Sequence, residues 1–189
     1  MTMAVMPRRY RFTVDEYERL AEIGLPAHCD RVELLDGEIV EMTPIGARHA
    51  SVVARLTSLF SRRLGERAIL WGQSPIQLRS VLSMPQPDVV LLRPRADFYA
   101  AVRPGAADVL LLIEVMDTSA ATDRGVKLPL YARAGITETW LLDLGTDRAE
   151  VYRRPAADGY AETRVLTPGD EIAPEALPDL RVTVRELFG

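Results

Sequence analysis

The eight residues Val109 to Met116 constrain this chain more than any other stretch. They read Val-Leu-Leu-Leu-Ile-Glu-Val-Met, the length of one strand, with no alternation of polar and apolar positions. An unbroken apolar strand needs cover on both faces, as at the centre of an α/β sheet. Glu114 lies inside it. A carboxylate in such a strand is expensive unless a metal ion or a fixed cation compensates its charge. Thirteen residues later comes Lys127, the only lysine in the chain; the other 22 of its 23 basic residues are arginine. In a chain so biased toward arginine, one lysine points to a position that wants a compact ammonium and not a guanidinium fork.

A second acid precedes another apolar run. Met84-Pro85-Gln86-Pro87 is a stiff extended lead-in that delivers Asp88 to the start of a strand ending at Leu92, where a proline is tolerated. Upstream, Thr13 with Glu16 three residues on forms a capping box, so a helix opens there and ends at Gly24-Leu25-Pro26. Arg31 to Met42 reads as a hairpin turning at Asp36-Gly37, with Glu33 on its first strand. From Ala47 to Leu64 the stripe Val52, Val53, Leu56, Leu59, Phe60, Leu64 has helical spacing, with Gly65 as stop and His49 in the first turn. Short strands are predicted over 68–71 and 75–78, with Gln73 and Gln77 nearby, and a short helix over 96–102. After the central strand, Gly125 and Pro129 predict a helix that starts late, near Val126, or kinks at Pro129, with Thr122 or Asp123 as cap. Lys127 and Tyr131, four apart, share a face of it. A strand over 137–144 and a meander from 149 follow, with 184–188 helical.

The 189 residues suffice for one domain with a real core and are short for two. Only one cysteine is present, Cys29, so no intrachain disulfide can form and a reduced, cytoplasmic setting is expected. The first nine residues lack the apolar segment of a secretory signal, and no run reaches the length of a membrane span. His28, Cys29 and Asp30 are adjacent and lack zinc-site spacing. A net charge of −4 excludes a generic nucleic-acid binder. Contact with DNA would rest on local clusters, Arg8-Arg9-Arg11 or Arg62-Arg63 with Arg67, although solvated surface arginine is the more ordinary reading of each.

Taken together, the pieces ELLDGEIVEM at 33–42, PDVVLL at 87–92, IEV at 113–115 and K-x3-Y-x3-G-x4-WLLD from Lys127 to Asp143 resemble the Uma2 family of bacterial endonucleases, within the PD-(D/E)xK superfamily. The superfamily pattern places its lysine two residues after the acid, where this chain has Met116; the Uma2 pattern supplies it from the following helix, which Lys127 fits. That family usually reads EV-x-S-P-S after the acid, whereas this chain reads Glu114-Val115-Met116-Asp117-Thr118-Ser119.

The resemblance implies an α/β fold of the restriction-endonuclease-like type, with a mixed central β-sheet flanked by helices. It implies one domain over 1–189: an N-terminal helix and hairpin at 12–42, a nuclease core at 46–144 and a C-terminal β meander at 148–189. It implies a Mg2+- or Mn2+-dependent endonuclease acting on nucleic acid, DNA as the first choice, and a homodimer with no membrane association. Asp88 and Glu114 with the Val115 carbonyl would hold the metal ion. Lys127 would orient a water or offset charge on phosphate, Glu33 would point into the cleft, His49 would contact phosphate, and Tyr131 would buttress Lys127. Three other readings remain. One is a catalytically silent nucleic-acid-binding or assembly module, another a hydrolase of some other phosphoester. In the third, Glu114 and Lys127 are a buried ion pair and Glu33 is an ordinary strand carboxylate.

Overall fold

A computed structural model describes residues 9–24 and 31–189. Leu25-Pro26 of the predicted helix stop, the sequence His28-Cys29-Asp30, Arg8 and the extreme N-terminus lie outside the described residues. The elements in chain order are α1 (Val14–Glu22), the hairpin β1 (Val32–Leu35) and β2 (Glu38–Glu41), α2 (Ala47–Leu64), β3 (Ile69–Gly72), β4 (Val89–Leu92) and β5 (Val109–Met116). A helical segment follows in three parts: α3 (Ala120–Thr122), a π-helical turn (Asp123–Lys127) and α4 (Leu128–Ala134). Then come β6 (Glu138–Asp143), β7 (Arg148–Ala156), β8 (Gly159–Leu166), β9 (Glu171–Ile172), β10 (Val182–Thr183) and α5 (Val184–Phe188).

Six strands form one mixed sheet in the order β3-β4-β5-β6-β7-β8. Only β5 and β6 are parallel, joined over the sheet by the α3–α4 segment; the other neighbours are antiparallel. All eight residues of β5 are buried, as an unalternating apolar strand requires. Leu111, Ile113 and Val115 pack with the α2 stripe and α5 on one face. Val109 and Leu112 pack with Val90, Leu92 and Tyr131 on the other. Burying each of these aliphatic side chains contributes about 1.5–3 kcal/mol, so β5, covered on both faces, is the most heavily committed strand. By the period of two, Glu114 shares the face of Leu112, under α4, and Asp88 shares that of Val90.

The mixed sheet flanked by helices is the predicted fold class. The Thr13–Glu16 capping box, the Asp36-Gly37 turn with φ of 49° and 78°, and α2 from Ala47 to Leu64 match the local signals that predict them. Three readings are corrected. Residues 75–78 make isolated bridges from Gln77 and Leu78 and no strand, because their partners are a loop and a tight turn. Residues 96–102 form turns with Phe98 and Tyr99 at positive φ, where a helix cannot continue. The helical segment starts at Ala120, earlier than predicted and uncapped by Thr122 or Asp123; it widens into a π-helical turn ahead of Pro129, which accommodates the ring and the missing N–H. The meander from 149 forms as β7 and β8, each antiparallel to the strand before it, and it completes the central sheet.

The hairpin is tied to the sheet's lead-in strand by a bridge between Leu34 and Met84 and by the Gly37 N–H donating to the Leu82 carbonyl at 2.8 Å. Gly37 is held closely: a Cβ built on it would lie 2.6 Å from Arg11 Cβ, and its φ of +78° disfavours any side chain. Gly37→Ala is therefore expected to destabilise the protein by about 1–2 kcal/mol, or more if Arg11 cannot shift. Chemical denaturation checks this, and an unchanged midpoint would contradict it.

Candidate active site

The antiparallel register of β4 and β5 pairs Val89 with Ile113, so one step outward Asp88 stands opposite Glu114. The Asp88 N–H lies 3.3 Å from Glu114 Oε2, and the Val115 N–H donates to Asp88 Oδ2 at 2.8 Å. Adjacent strand ends thus bring two acids together from opposite ends of a long connection. The π-helical turn and α4 cross this end of the sheet. From them Lys127 Nζ reaches Glu114 Oε1 at 3.3 Å, and the Tyr131 hydroxyl donates to the same oxygen at 2.5 Å. The hairpin brings Glu33, whose Oε1 lies 3.0 Å from Lys127 Nζ and accepts the Gln86 N–H at 2.7 Å. From the first turn of α2, His49 Nε2 meets Asp88 Oδ2 at 3.0 Å.

Glu33, Asp88, Glu114 and Lys127, which are far apart in sequence, therefore share one cluster, and with His49 they line a cavity of about 120 Å³. Tyr131 is fully buried behind it, and its hydrogen bond goes to Glu114, not to the predicted Lys127. Val115 touches Asp88 through its N–H; no contact of its carbonyl with the cluster is seen among the described residues. Gln73 and Gln77 do not line the cavity, whereas Gln86 does. The reading missed Asp123, which is 2% exposed, lines the cavity and stands 3.9 Å from Lys127 Nζ. The signal was present: Asp123, Lys127 and Tyr131 follow at intervals of four and so share a helical face. The arginine clusters are tied up locally, Arg63 to Glu186, Arg9 to Glu38 and Arg11 to Asp36. Arg62 also lies thirteen residues along α2 from His49, about 20 Å away by helix rise.

Charge in the cluster is unbalanced. Glu33, Asp88, Glu114 and Asp123 are all buried carboxylates, and Lys127 is the one ammonium among them. Burial pushes the Glu114 carboxyl up to about 8, although Lys127 pulls it down. Burial raises Asp123 too, against the same pull. Burial alone would lower Lys127, but Glu114, Glu33 and Asp123 outweigh it and hold the ammonium charged. The hydrogen bond to the Asp88 carboxylate raises His49 above its ordinary value, and its Nδ1 is buried with no partner among the described residues. Hard carboxylate oxygens in excess over fixed positive charge, one of them prone to keep its proton, are a donor set that suits Mg2+ or Mn2+. Among the described residues, no three His, Cys, Asp or Glu side chains are already disposed around one ion position.

A mixed six-stranded sheet flanked by helices, with acids at the adjacent ends of β4 and β5, has the architecture of the restriction-endonuclease-like fold. The chain belongs to the Uma2 family, described as "Putative restriction endonuclease", whose sequence profile matches residues 14–185. In fold it is similar to a crystal structure of "a putative nuclease belonging to DUF820" from Anabaena variabilis, with a TM-score of 0.72, 19% identity, and coverage of 94% of this chain and 97% of that one. No curated protein matches it. Family and fold together support a nuclease assignment; restriction-endonuclease-like proteins typically use divalent metals. Among the described residues, no helix is long and apolar enough to cross a membrane.

The raised groups all act in one direction on stability. Glu114 binds its proton more tightly folded, near 8, than unfolded, near its ordinary 4.5. Its contribution is complete below about 4.5 and is lost as pH rises through about 8; Asp123 and His49, also raised, add to the same slope. In EDTA, unfolding free energy is expected to fall between those pH values, and Glu114→Gln to flatten the fall. Parallel denaturation curves of the two proteins across that range would refute this.

Proposed function

We propose that this protein is a divalent-metal-dependent endonuclease that hydrolyses phosphodiester bonds, with DNA as its substrate. One observation carries the reading: two buried acids from adjacent strand ends and the chain's sole lysine meet in an open cavity with more negative charge than Lys127 balances. In this reading Asp88 and Glu114, with the Val115 carbonyl, hold Mg2+ or Mn2+. The ion supplies Lewis acidity at a phosphate oxygen and lowers the pKa of a bound water. Lys127, kept charged by its carboxylate neighbours, orients the attacking water and offsets charge developing on phosphorus. Glu33 fixes Lys127, and Tyr131 fixes the Glu114 carboxylate. His49 holds Asp88 and, at the N-terminal turn of α2, meets a substrate phosphate. Arg31 on the cavity wall adds positive charge along the substrate's path.

Cleavage of both strands of a duplex calls for two such sites, and a homodimer in a reducing, cytoplasmic setting is part of the same reading. Sedimentation is expected to give twice the 21.0 kDa chain mass; a monomer at all concentrations would remove the dimer from it.

Supercoiled plasmid with Mg2+ or Mn2+ is expected to be nicked by the wild type. Glu114→Ala and Lys127→Ala should each lower the rate by about 100-fold or more, and EDTA should abolish it. DNA binding without cleavage under any divalent ion would favour the silent binding module. Cleavage of small phosphodiesters alone would favour another phosphoester substrate.

A further inference from the structure

Lys127 sits at the corner of three carboxylates at unequal distances. Glu33 Oε1 lies at 3.0 Å, Glu114 Oε1 at 3.3 Å and Asp123 Oδ1 at 3.9 Å. The first two are within reach of a direct charge-assisted contact; the third falls short of a hydrogen bond by about 1 Å. Asp123 is nonetheless buried, and it is held in place: Ser119 Oγ donates to its Oδ2 at 2.6 Å, leaving Oδ1 turned toward the ammonium. The π-helical turn Asp123–Lys127 carries both groups, so their separation is set within one turn. Such single turns in place of α geometry are frequent at functional sites. A buried carboxylate fixed just beyond contact with a cation contributes little to stability as it stands. It becomes favourable if the cation moves toward it.

A reason to move lies in the cluster. Lys127 and Tyr131 both engage Glu114 Oε1. If Glu114 holds a divalent cation, an ammonium on the same carboxylate is repelled by that ion. Glu33 already accepts the Gln86 N–H on the oxygen nearest Lys127, whereas Asp123 Oδ1 has no hydrogen-bond donor among the described residues. We propose that Asp123 is the second berth of Lys127: the ammonium shifts onto it when Glu114 engages a divalent cation, so that Asp123 is a positioning residue of the nuclease site, an inference that rests on the metal-dependent reading above. The move keeps a positive charge beside the scissile phosphate while freeing Glu114, and it needs a displacement of only about 1 Å.

The single lysine makes the movement directly observable. In full-length protein labelled with 13Cε-lysine, Lys127 gives the one lysine signal. Titration with Mg2+ is expected to shift that signal saturably in the wild type. In Asp123→Asn the shift should shrink and half-saturation should need about 10-fold more Mg2+, the usual size of an effect exerted through a neighbour of a ligand. By calorimetry, Asp123→Asn added to Lys127→Met should change Mg2+ affinity no further, because the ammonium it serves is gone. Should Asp123→Asn fail to fold by circular dichroism, Asp123→Ser takes its place. Wild-type protein that binds Mg2+ with an unmoved lysine signal, or an Asp123 variant with wild-type affinity, overturns the proposal and leaves the nuclease reading intact. Wild-type protein that binds no Mg2+ overturns both.

Discussion

The charge of Glu114 is the constraint on which the rest depends. It stands in a strand whose other seven residues are apolar and buried, in the middle of the sheet and covered from both sides. Removing a carboxylate from water at such a place costs several kcal/mol unless partners replace the lost hydration. The chain answers with an ammonium, a phenol and the Asp88 N–H, each from a different element. Yet the ammonium is shared with Glu33 and Asp123, and the compensation is incomplete. An environment that costs stability in the absence of a cation is one that gains from binding it.

The architecture places this imbalance at one end of the sheet, along the wall of a cavity. β4 runs antiparallel to β5, so the start of one and the end of the other share an edge of the sheet. Both acids lie near it, Asp88 just before β4 and Glu114 inside β5, two residues before its end. The helical segment after β5 must cross the sheet to reach the parallel β6, which lays the π-helical turn and α4 over that edge. The N-terminal end of α2 approaches from the opposite face with His49, and the hairpin closes the third side with Glu33. Tyr131 and His49 act on the acids and Glu33 acts on the ammonium, so Glu114, Asp88 and Lys127 each have their direction set by a neighbour from another element.

Much of this was legible from particular residues. The unalternating run around Glu114 announced a strand buried on both faces, and the solitary Lys127 announced a position where an arginine would not serve. What escaped reading did so for identifiable reasons. Pro75 to Leu78 has a strand's composition, but its available partners are isolated residues such as Gly105 and Ser83, so no ladder forms. Residues 96–102 are rich in alanine, yet Phe98 and Tyr99 take positive φ. Gly125 and Pro129 predict a delayed or kinked helix under α-helical geometry; the chain instead inserts a wider turn. Asp123 was read as a cap, since Asp before a helix usually is one.

By itself the sequence determined what depends on near neighbours: the capping box at Thr13 and Glu16, the α2 stripe, the Asp36-Gly37 turn, and the apolar strand that cannot exist without cover. Those follow from backbone sterics and from the periods of helix and strand, which act over a few residues. Only the tertiary structure decided which charges meet. Lys127 could have paired with either acid or neither, and Tyr131 with Lys127. The choice was made by strand register and by the crossing of one helical segment over a sheet edge, because in a low-dielectric interior a shift of an ångström or two changes which carboxylate an ammonium serves.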